Sequence, residues 1–212
     1  MKKAVKGCCL ALIGIVLGTN AKAQEIINPS VYAPWHISAS LGMQSTEYVF
    51  DAHRTTAVGR LAFQYMPIEH IGLELGVQSG NTMRFIADEE TVYSLGGVGI
   101  EGTIKPMIDV LVAAKTPLLS SSIPLFASVK AGIAYRQLQM DRESLNELEQ
   151  WKPELQAGLG YQVNQRLNMN VMFQYIAGAP PKIQAHAETD SGHISNIPNQ
   201  RAVFLELTYA LG

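Results

Sequence analysis

Cysteine is almost absent from this sequence of 212 residues, in which Cys8 and Cys9 are the two cysteines. The chain also lacks an internal repeat, a low-complexity segment and a linker-like tract that would divide it. A single domain is therefore expected after the N-terminal segment, because about 190 residues are well within the range of one domain.

The N-terminal segment has the three parts of a secretory signal peptide. Three lysines precede position 7, residues 8–18 form an uninterrupted apolar stretch, and Ala21-Lys22-Ala23 offers a small-x-small cleavage site. A membrane anchor is the alternative, but the apolar stretch is about half of the roughly 20 residues that a spanning helix needs. We therefore assign residues 1–23 to a cleaved signal peptide and residues 24–212 to the mature domain.

The mature chain then contains no cysteine, which excludes a disulfide framework, a thiol nucleophile and a thiolate metal site. All 18 acidic residues lie after Ala23 and four of the 16 basic residues lie before it, so the mature chain carries 12 − 18 = −6. A mildly acidic, exported chain has no electrostatic basis for binding nucleic acid. The histidines show no metal-ligand spacing, so we expect no metal and no other cofactor.

Alternation of apolar with polar or small residues is the main signal in the mature chain, and it predicts β-strands. Eight such segments can be placed, at 34–43, 56–66, 71–79, 106–115, 125–136, 154–163, 167–176 and 201–211. Short turns between them alternate with longer loops at 44–55, 80–105, 137–153 and 177–200. This rhythm is typical of outer-membrane barrels, with short periplasmic turns and long extracellular loops. We therefore predict an all-β fold, an eight-stranded antiparallel transmembrane up-and-down β-barrel.

The two faces of the predicted strands differ in polarity. In segment 167–176 the odd-numbered residues are apolar, whereas Asn168, Asn170 and Gln174 lie on the even face, so only the odd face could contact lipid. Alternation applied strand by strand, with the uncharged face outward, places eight charged residues in the lumen, four of each sign: Arg60, Glu74, Asp109, Lys115, Lys130, Arg136, Glu154 and Glu206. A lumen of eight strands is only wide enough for side chains. We therefore expect a filled barrel with a neutral ion-pair network and no wide diffusion pore.

Aromatic residues at the strand ends predict two interfacial girdles, because Trp and Tyr favour the membrane–water interfaces. The residues assigned to these girdles are Trp35, Tyr65, Tyr135, Tyr161, Tyr175 and Tyr209.

Three of the patterned segments, at 108–115, 125–135 and 153–161, resemble the OmpA-like outer-membrane β-barrel family, the small eight-stranded porin-like proteins of Gram-negative bacteria. The resemblance extends over essentially the whole mature chain. It implies a non-enzymatic structural or surface protein of the outer membrane, in contact with outer-membrane lipids and inserted by the barrel-assembly machinery. Binding of an extracellular ligand or a host surface would then be a property of the loops.

Two other functions and one other fold are alternatives. Charged groups inside a membrane could form a narrow, gated ion channel. The sequence His193-Ile194-Ser195-Asn196 resembles the His-x-Ser-Asn signature of lipid A deacylases, with Glu206 as the nearby downstream carboxylate. Strand parity argues against this triad, because His193 and Ser195 are odd-numbered and Glu206 is even-numbered. A soluble lipocalin-like barrel would require an apolar lumen and a charged exterior, the reverse of the pattern in segment 167–176.

Overall fold

The computed structural model describes residues 33–49, 54–85, 100–119, 123–141, 145–186 and 191–211. The predicted signal peptide, residues 1–23, lies outside these ranges. Within them, no helix is long and apolar enough to cross a membrane.

The described chain is built from antiparallel strands. Their bounds are β1 (Trp35–Thr46), β2 (Thr55–Ile68), β3 (Ile71–Gln78), β4 (Asn81–Arg84), β5 (Glu101–Ile104), β6 (Met107–Lys115), β7 (Leu125–Met140), β8 (Leu148–Gln162), β9 (Leu167–Ile176), β10 (Ile183–His186), β11 (Ser191–Ile194) and β12 (Gln200–Leu211). The eight strands β1, β2, β3, β6, β7, β8, β9 and β12 each pair with the next, and β12 pairs with β1. The predicted eight-stranded up-and-down barrel is therefore confirmed.

The two ends of the barrel differ. At one end, here called the turn end, β2–β3, β6–β7 and β8–β9 are joined by the shorter connections, and β1 begins and β12 ends there. At the other, the loop end, the short strands β4 and β5 pair with each other and β5 also pairs with β7, so the wall of the barrel continues beyond β3 and β6. The strands β10 and β11 form a separate hairpin in the connection between β9 and β12.

The loop-end strands are longer than the sequence predicted. The expected loop 137–153 contains the end of β7, which reaches Met140, and the start of β8 at Leu148. The expected loop 80–105 contains β4 and β5. Alternation continues here, since Leu138 and Met140 are buried on the inner face of β7, and the pairing of β7 with β8 runs as far as Leu138.

The exterior of the barrel between its two ends is apolar on every strand. Leu41 on β1, Leu61 on β2 and Leu159 on β8 are 71%, 64% and 57% exposed. On β12, exposed Val203, Leu207 and Tyr209 alternate with buried residues. On β2, β3, β6, β7 and β9, the positions that alternate with the predicted lumen residues are exposed or partly exposed between the two ends of the barrel, and none of them is charged.

The interior has a mixed character that the sequence-based prediction of a polar lumen did not include. Polar and charged side chains are buried there, but so are two apolar groups, one with Met172 and Phe204 and one with Met107 and Ile176. These apolar residues share the inward parity of the polar ones, so alternation places them correctly but cannot indicate that apolar contacts fill part of the lumen.

A third apolar group, here called the apolar cap, closes the loop end. Its buried members are Val49, Met83, Phe85, Ile100, Ile104, Leu138, Met140, Leu145, Ile194 and Ile197. Two isolated bridges help to hold it, between Val49 and Phe85 and between Leu145 and Gly192. The cap is thus a small hydrophobic core formed by strand extensions and loop residues together.

Candidate functional site

Five of the eight charged residues predicted to line the lumen meet in one buried group, here called the ion-pair cluster: Arg60, Glu74, Asp109, Lys130 and Glu206. They come from β2, β3, β6, β7 and β12, so the cluster crosses the barrel. Each of the five is at most 3% exposed. Contact with water is therefore replaced by contact among these side chains, as buried charges require.

Arg60 is the centre of the cluster. Its Nη2 atom lies 2.7 Å from Glu74 Oε1 and 2.5 Å from Asp109 Oδ1, and its Nε atom donates to Asp109 Oδ2 at 3.0 Å. The two bonds to Asp109 form the bidentate arrangement in which the planar guanidinium binds a carboxylate most strongly. Glu206 lies 4.0 Å from Arg60 Nη1.

Lys130 links the other two carboxylates. Its Nζ atom lies 2.9 Å from Glu74 Oε2 and 2.9 Å from Glu206 Oε2. Glu206 also accepts hydrogen bonds from Asn170 Nδ2 at 3.0 Å and from the Ser40 hydroxyl at 3.4 Å. The cluster thus contains two cations and three carboxylates. It has a local excess of one negative charge, whereas the sequence predicted a network that is neutral overall.

Space for the cluster depends on a glycine. Gly76 points inward from β3, and a Cβ atom there would lie 2.6 Å from Asp109 Oδ1 and still closer to Arg60 Nη2. Any side chain at this position would displace the guanidinium from its carboxylate. A Gly on the inner face of a strand, between Glu74 and Gln78, was the sequence signal for this close approach.

The remaining three predicted charges lie apart from the cluster. Lys115 is partly exposed at the turn end of β6. Arg136 donates to the carbonyl oxygen of Pro198 at 2.8 Å and to Gln200 Oε1 at 3.1 Å. Glu154 Oε1 accepts from Gln156 Nε2 at 2.6 Å and from Gln174 Nε2 at 2.7 Å. No carboxylate of the described residues forms an ion pair with Arg136, and no cation forms one with Glu154.

Arg136 and Glu154 belong to a second polar group, here called the glutamine layer, whose other members are Gln44, Gln78, Gln156, Gln174 and Gln200. Gln44 Oε1 accepts from Gln200 Nε2 at 3.0 Å and from Gln78 Nε2 at 3.3 Å, and Gln174 Nε2 donates to Gln78 Oε1 at 2.9 Å. The chain of hydrogen bonds runs across the barrel from Arg136 to Glu154.

Sequence reasoning missed two members of this layer for one reason. The predicted first strand ended at 43 and the predicted last strand began at 201, so Gln44 and Gln200 fell just outside them. Both continue the even-numbered inward parity of their strands, and this parity was the available signal.

A small cavity lies on the turn-end side of the ion-pair cluster. Its volume is about 30 Å³, and its polar lining includes His36, Gln64, Lys115, Lys130, Asn168 and Thr208. This is room for about two water molecules. The cavity is therefore large enough and polar enough to hold water inside the barrel at this end.

The predicted aromatic residues lie on the outside of the barrel, at two levels. Near the turn end, the ring centroid of Trp35 lies 5.1 Å from that of Phe63 and 4.3 Å from that of Tyr65. Tyr209 lies opposite Ile37 on the same side, and Tyr161 lies opposite Leu125. At the other level, Tyr175 lies opposite Leu155, and Tyr135 contacts Trp151 at 5.0 Å.

Trp151 was not among the predicted aromatic residues, because the sequence placed it in a loop. It is 58% exposed on β8. Ten residue steps separate it from Tyr161 on the same strand. At about 3.3 Å a step and a tilt of about 40°, this corresponds to about 25 Å, the height of the apolar band of outer-membrane barrels.

Polar side chains continue the wall on the loop side of Trp151. The Tyr135 hydroxyl donates to Glu149 Oε2 at 2.7 Å, and Gln137 Nε2 donates to Glu149 Oε1 at 2.8 Å. These hydrogen bonds lower the pKa of the Glu149 carboxyl, because they favour its charged form. An ionised carboxylate at this level marks the boundary between the apolar band and water.

The residues of the deacylase-like sequence are not assembled into a triad. The Ser195 hydroxyl donates to the carbonyl oxygen of Lys182 at 3.4 Å and accepts from Asn196 Nδ2 at 3.2 Å. His193 is exposed on β11, and Glu206 lies in the ion-pair cluster. Among the described residues, no group of His, Cys, Asp and Glu has the arrangement of a metal site.

Comparisons with known proteins identify related structures only. No family model matches the chain, and no curated protein matches it. Among solved structures, OprG of Pseudomonas aeruginosa has a TM-score of 0.57 at 12% identity, over 84% of this chain and 97% of that one. Outer membrane protein W of E. coli has a TM-score of 0.51 at 12% identity, over 84% and 98% of the two chains. Neisserial surface protein A has a TM-score of 0.50 at 8% identity, again over 84% and 98%.

These identities establish a common fold rather than a common activity. In all three comparisons the match covers nearly the full length of the solved chain, and each of these chains is a small outer-membrane barrel. The chain described here therefore has the eight-stranded fold of the small outer-membrane β-barrels, and the resemblance predicted from its sequence is confirmed at the level of that fold.

Proposed function

We propose that this protein is a non-enzymatic integral protein of a Gram-negative outer membrane, a barrel with a filled lumen that holds surface loops at its loop end. The observation that carries this proposal is the apolar, uncharged exterior that continues around all eight barrel strands between the two ends of the barrel. In water such a surface would far exceed the few hundred Å² of contiguous apolar area that soluble monomers expose. Lipid chains are the solvent that fits it.

The orientation follows from the two ends. An outer-membrane barrel has its short turns in the periplasm and its larger loops outside. The turn end would accordingly be periplasmic and the loop end extracellular. We infer that residues 1–23 direct export and that the barrel-assembly machinery inserts the mature chain, while the loops are the place for any extracellular partner.

The lumen supports a structural role over conduction. Within the described residues, the ion-pair cluster, the glutamine layer and the apolar cap follow one another along the barrel, and all of their members are at most 6% exposed. An ion entering from the turn end would meet paired charges first and an apolar group last. Both are barriers to an ion, because the charges of the cluster are already paired and the apolar cap offers no polar ligand to replace water.

The narrow ion channel is the second candidate, and recordings in planar bilayers separate it from the first. We expect wild-type protein and the Arg60→Ala variant to show no stable unitary conductance. A reproducible conductance in wild-type protein that changes in Arg60→Ala would contradict the filled-lumen proposal. The variant must first show the mobility difference of a folded barrel.

Lipid A hydrolysis is less well supported, since among the described residues the Ser195 hydroxyl has hydrogen bonds with Lys182 and Asn196 and with no histidine. Mass spectra of lipid A from cells with and without the protein should be identical. A loss of acyl chains that disappears in Ser195→Ala would establish the enzyme instead.

The experiment that tests the leading proposal combines location with closure of the barrel. Membranes are separated into inner and outer fractions, and the protein is run on gels with and without boiling. We expect it in the outer-membrane fraction, with a faster band before boiling, because a closed barrel resists unfolding by detergent. Protein that fractionates with the soluble material would refute the proposal.

A further inference from the structure

The connections at the turn end of the barrel differ in polarity, and two of them carry exposed apolar side chains. Leu118, Leu119 and Ile123, in the connection between β6 and β7, are 49%, 60% and 52% exposed. Ile68, at the end of β2, is 60% exposed. We call these four residues the apolar rim.

The two parts of the apolar rim are neighbours. The strands β3 and β6 pair, and the Lys115 amide donates to the His70 carbonyl at 2.9 Å, which joins the end of β6 to the β2–β3 turn. Within the described part of the β6–β7 connection, the Leu119 amide donates to the Leu125 carbonyl at 2.7 Å, which joins Leu119 to the start of β7. The rim is therefore part of the barrel wall.

A β-bulge turns Ile68 outward. The pairing of β2 with β3 shifts between Tyr65 and Ile68, so that Ile68 lies opposite Ile71. Even-numbered residues of β2 point inward before the shift, as Met66 does at 2% exposure. Without the extra residue Ile68 would follow the same parity, and a bulge changes the direction of the residues after it.

The apolar rim is continuous with the lipid-facing band. Ile68 lies beside Ile71, which is 49% exposed, and Ile71 precedes Leu73 and Leu75 on the outer face of β3. The next turn around the barrel, between β8 and β9, is different, because Asn164, Gln165 and Arg166 are exposed there. Asn164 Oδ1 accepts the amides of Arg166 and Leu167 at 2.8 Å each, which closes a polar turn.

We infer that the apolar rim is inserted into the periplasmic leaflet of the membrane, so that acyl chains, and not water or another protein, cover the β2–β3 and β6–β7 turns. The continuity of the rim with the band supports lipid as the occupant. Glu69 and His70 lie between the two parts of the rim and are the polar groups that would reach the headgroups. This inference rests on the proposed membrane location.

Nitroxide labels at single cysteines test the insertion depth. The variants are Leu119→Cys and Ile123→Cys in the rim, Gln165→Cys in the polar turn and Val171→Cys on the outer face of β9. Each protein is purified after export, checked for the folded-barrel mobility, and placed in phosphatidylcholine vesicles. The depth is read from collisions with oxygen, which concentrates in lipid, relative to a water-soluble nickel chelate.

We expect the label at Leu119 to collide mainly with oxygen, as the label at Val171 does, while the label at Gln165 collides mainly with the nickel chelate. If Leu119 and Ile123 behave like Gln165 while Val171 reports lipid, the inference is wrong and the membrane location stands. If Val171 itself reports water, the proposed function fails. A rim label shielded from both reagents would show that protein, a second copy or a partner, covers the rim, and would also overturn the inference.

Discussion

The ion-pair cluster predicts that removing a cation destabilises the barrel more than removing a carboxylate. The cluster contains two cations and three carboxylates, and Lys130 contacts two of the three carboxylates. In Lys130→Met the side chain keeps its length and fills its space, but one cation then faces three carboxylates. In Glu206→Gln two cations face two carboxylates.

The expected magnitudes follow from the partners that remain. After Lys130→Met, Glu74 keeps Arg60 at 2.7 Å, but the nearest cation to Glu206 is Arg60 at 4.0 Å. Leaving a buried charge without its partner costs about 3–5 kcal/mol of unfolding free energy. After Glu206→Gln, Lys130 keeps Glu74 at 2.9 Å, and the amide oxygen can still accept from Asn170. The loss is then about 1–2 kcal/mol, the difference between a charged and a neutral hydrogen bond.

Urea unfolding of the protein in phosphatidylcholine vesicles measures both changes, with the unboiled gel band as the record of the folded fraction. Arg84→Gln is the control, because its pair with Glu101 is half-exposed and should contribute no more than about 1 kcal/mol. An equal loss in Lys130→Met and Glu206→Gln, or a larger loss in Glu206→Gln, would refute the charge-imbalance reasoning. Losses no larger than that of Arg84→Gln in both would show that the cluster is not desolvated.

Three further predictions use other parts of the barrel. Val171→Arg, on the lipid side near the midplane, should lower the unfolding free energy by about 2–4 kcal/mol, while Asn168→Arg, beside the turn-end cavity, should lower it clearly less. Urea unfolding in vesicles compares the two variants, and equal losses would contradict the assigned faces. Gly76→Val should displace Arg60 from Asp109 and reduce the fraction of protein that folds, measured as the unboiled band, and unchanged folding would contradict the close approach. Glu154→Gln should change the unfolding free energy by less than about 1 kcal/mol, because Glu154 Oε2 has no hydrogen-bond partner among the described residues; a loss near that of Lys130→Met would reveal an ion pair to Glu154.

The fold was predictable because one physical rule applies along most of the chain. A strand in a lipid-facing barrel must present apolar residues at every second position, and this rule located all eight barrel strands, with the largest error, six residues, at the start of β8. The same rule did not locate the short strands that extend the wall of the barrel at its loop end. In β4 and β5, apolar Met83 and Ile104 point into the cap, but four residues are too few for the alternation to be distinguished from a loop.

The partners within the lumen were less predictable. Parity shows that Arg136 points inward, but its contact with the Pro198 carbonyl and Gln200 depends on how the segment before β12 crosses the loop end. The same limit applies to Glu154, whose neighbours are amides rather than a cation. Parity assigns a face to each residue, whereas the choice of partner depends on the stagger of the strands around the barrel.

The apolar cap also has a consequence for biogenesis. In the proposed orientation, the residues of the cap would cross the membrane before they pack outside it, and burying polar groups in hydrocarbon is costly. Loops that carry apolar residues such as Phe85, Leu145 and Ile197 would face a smaller barrier than polar loops of the same length, and the same residues are buried together in the cap. Transit and final packing thus favour the same side chains.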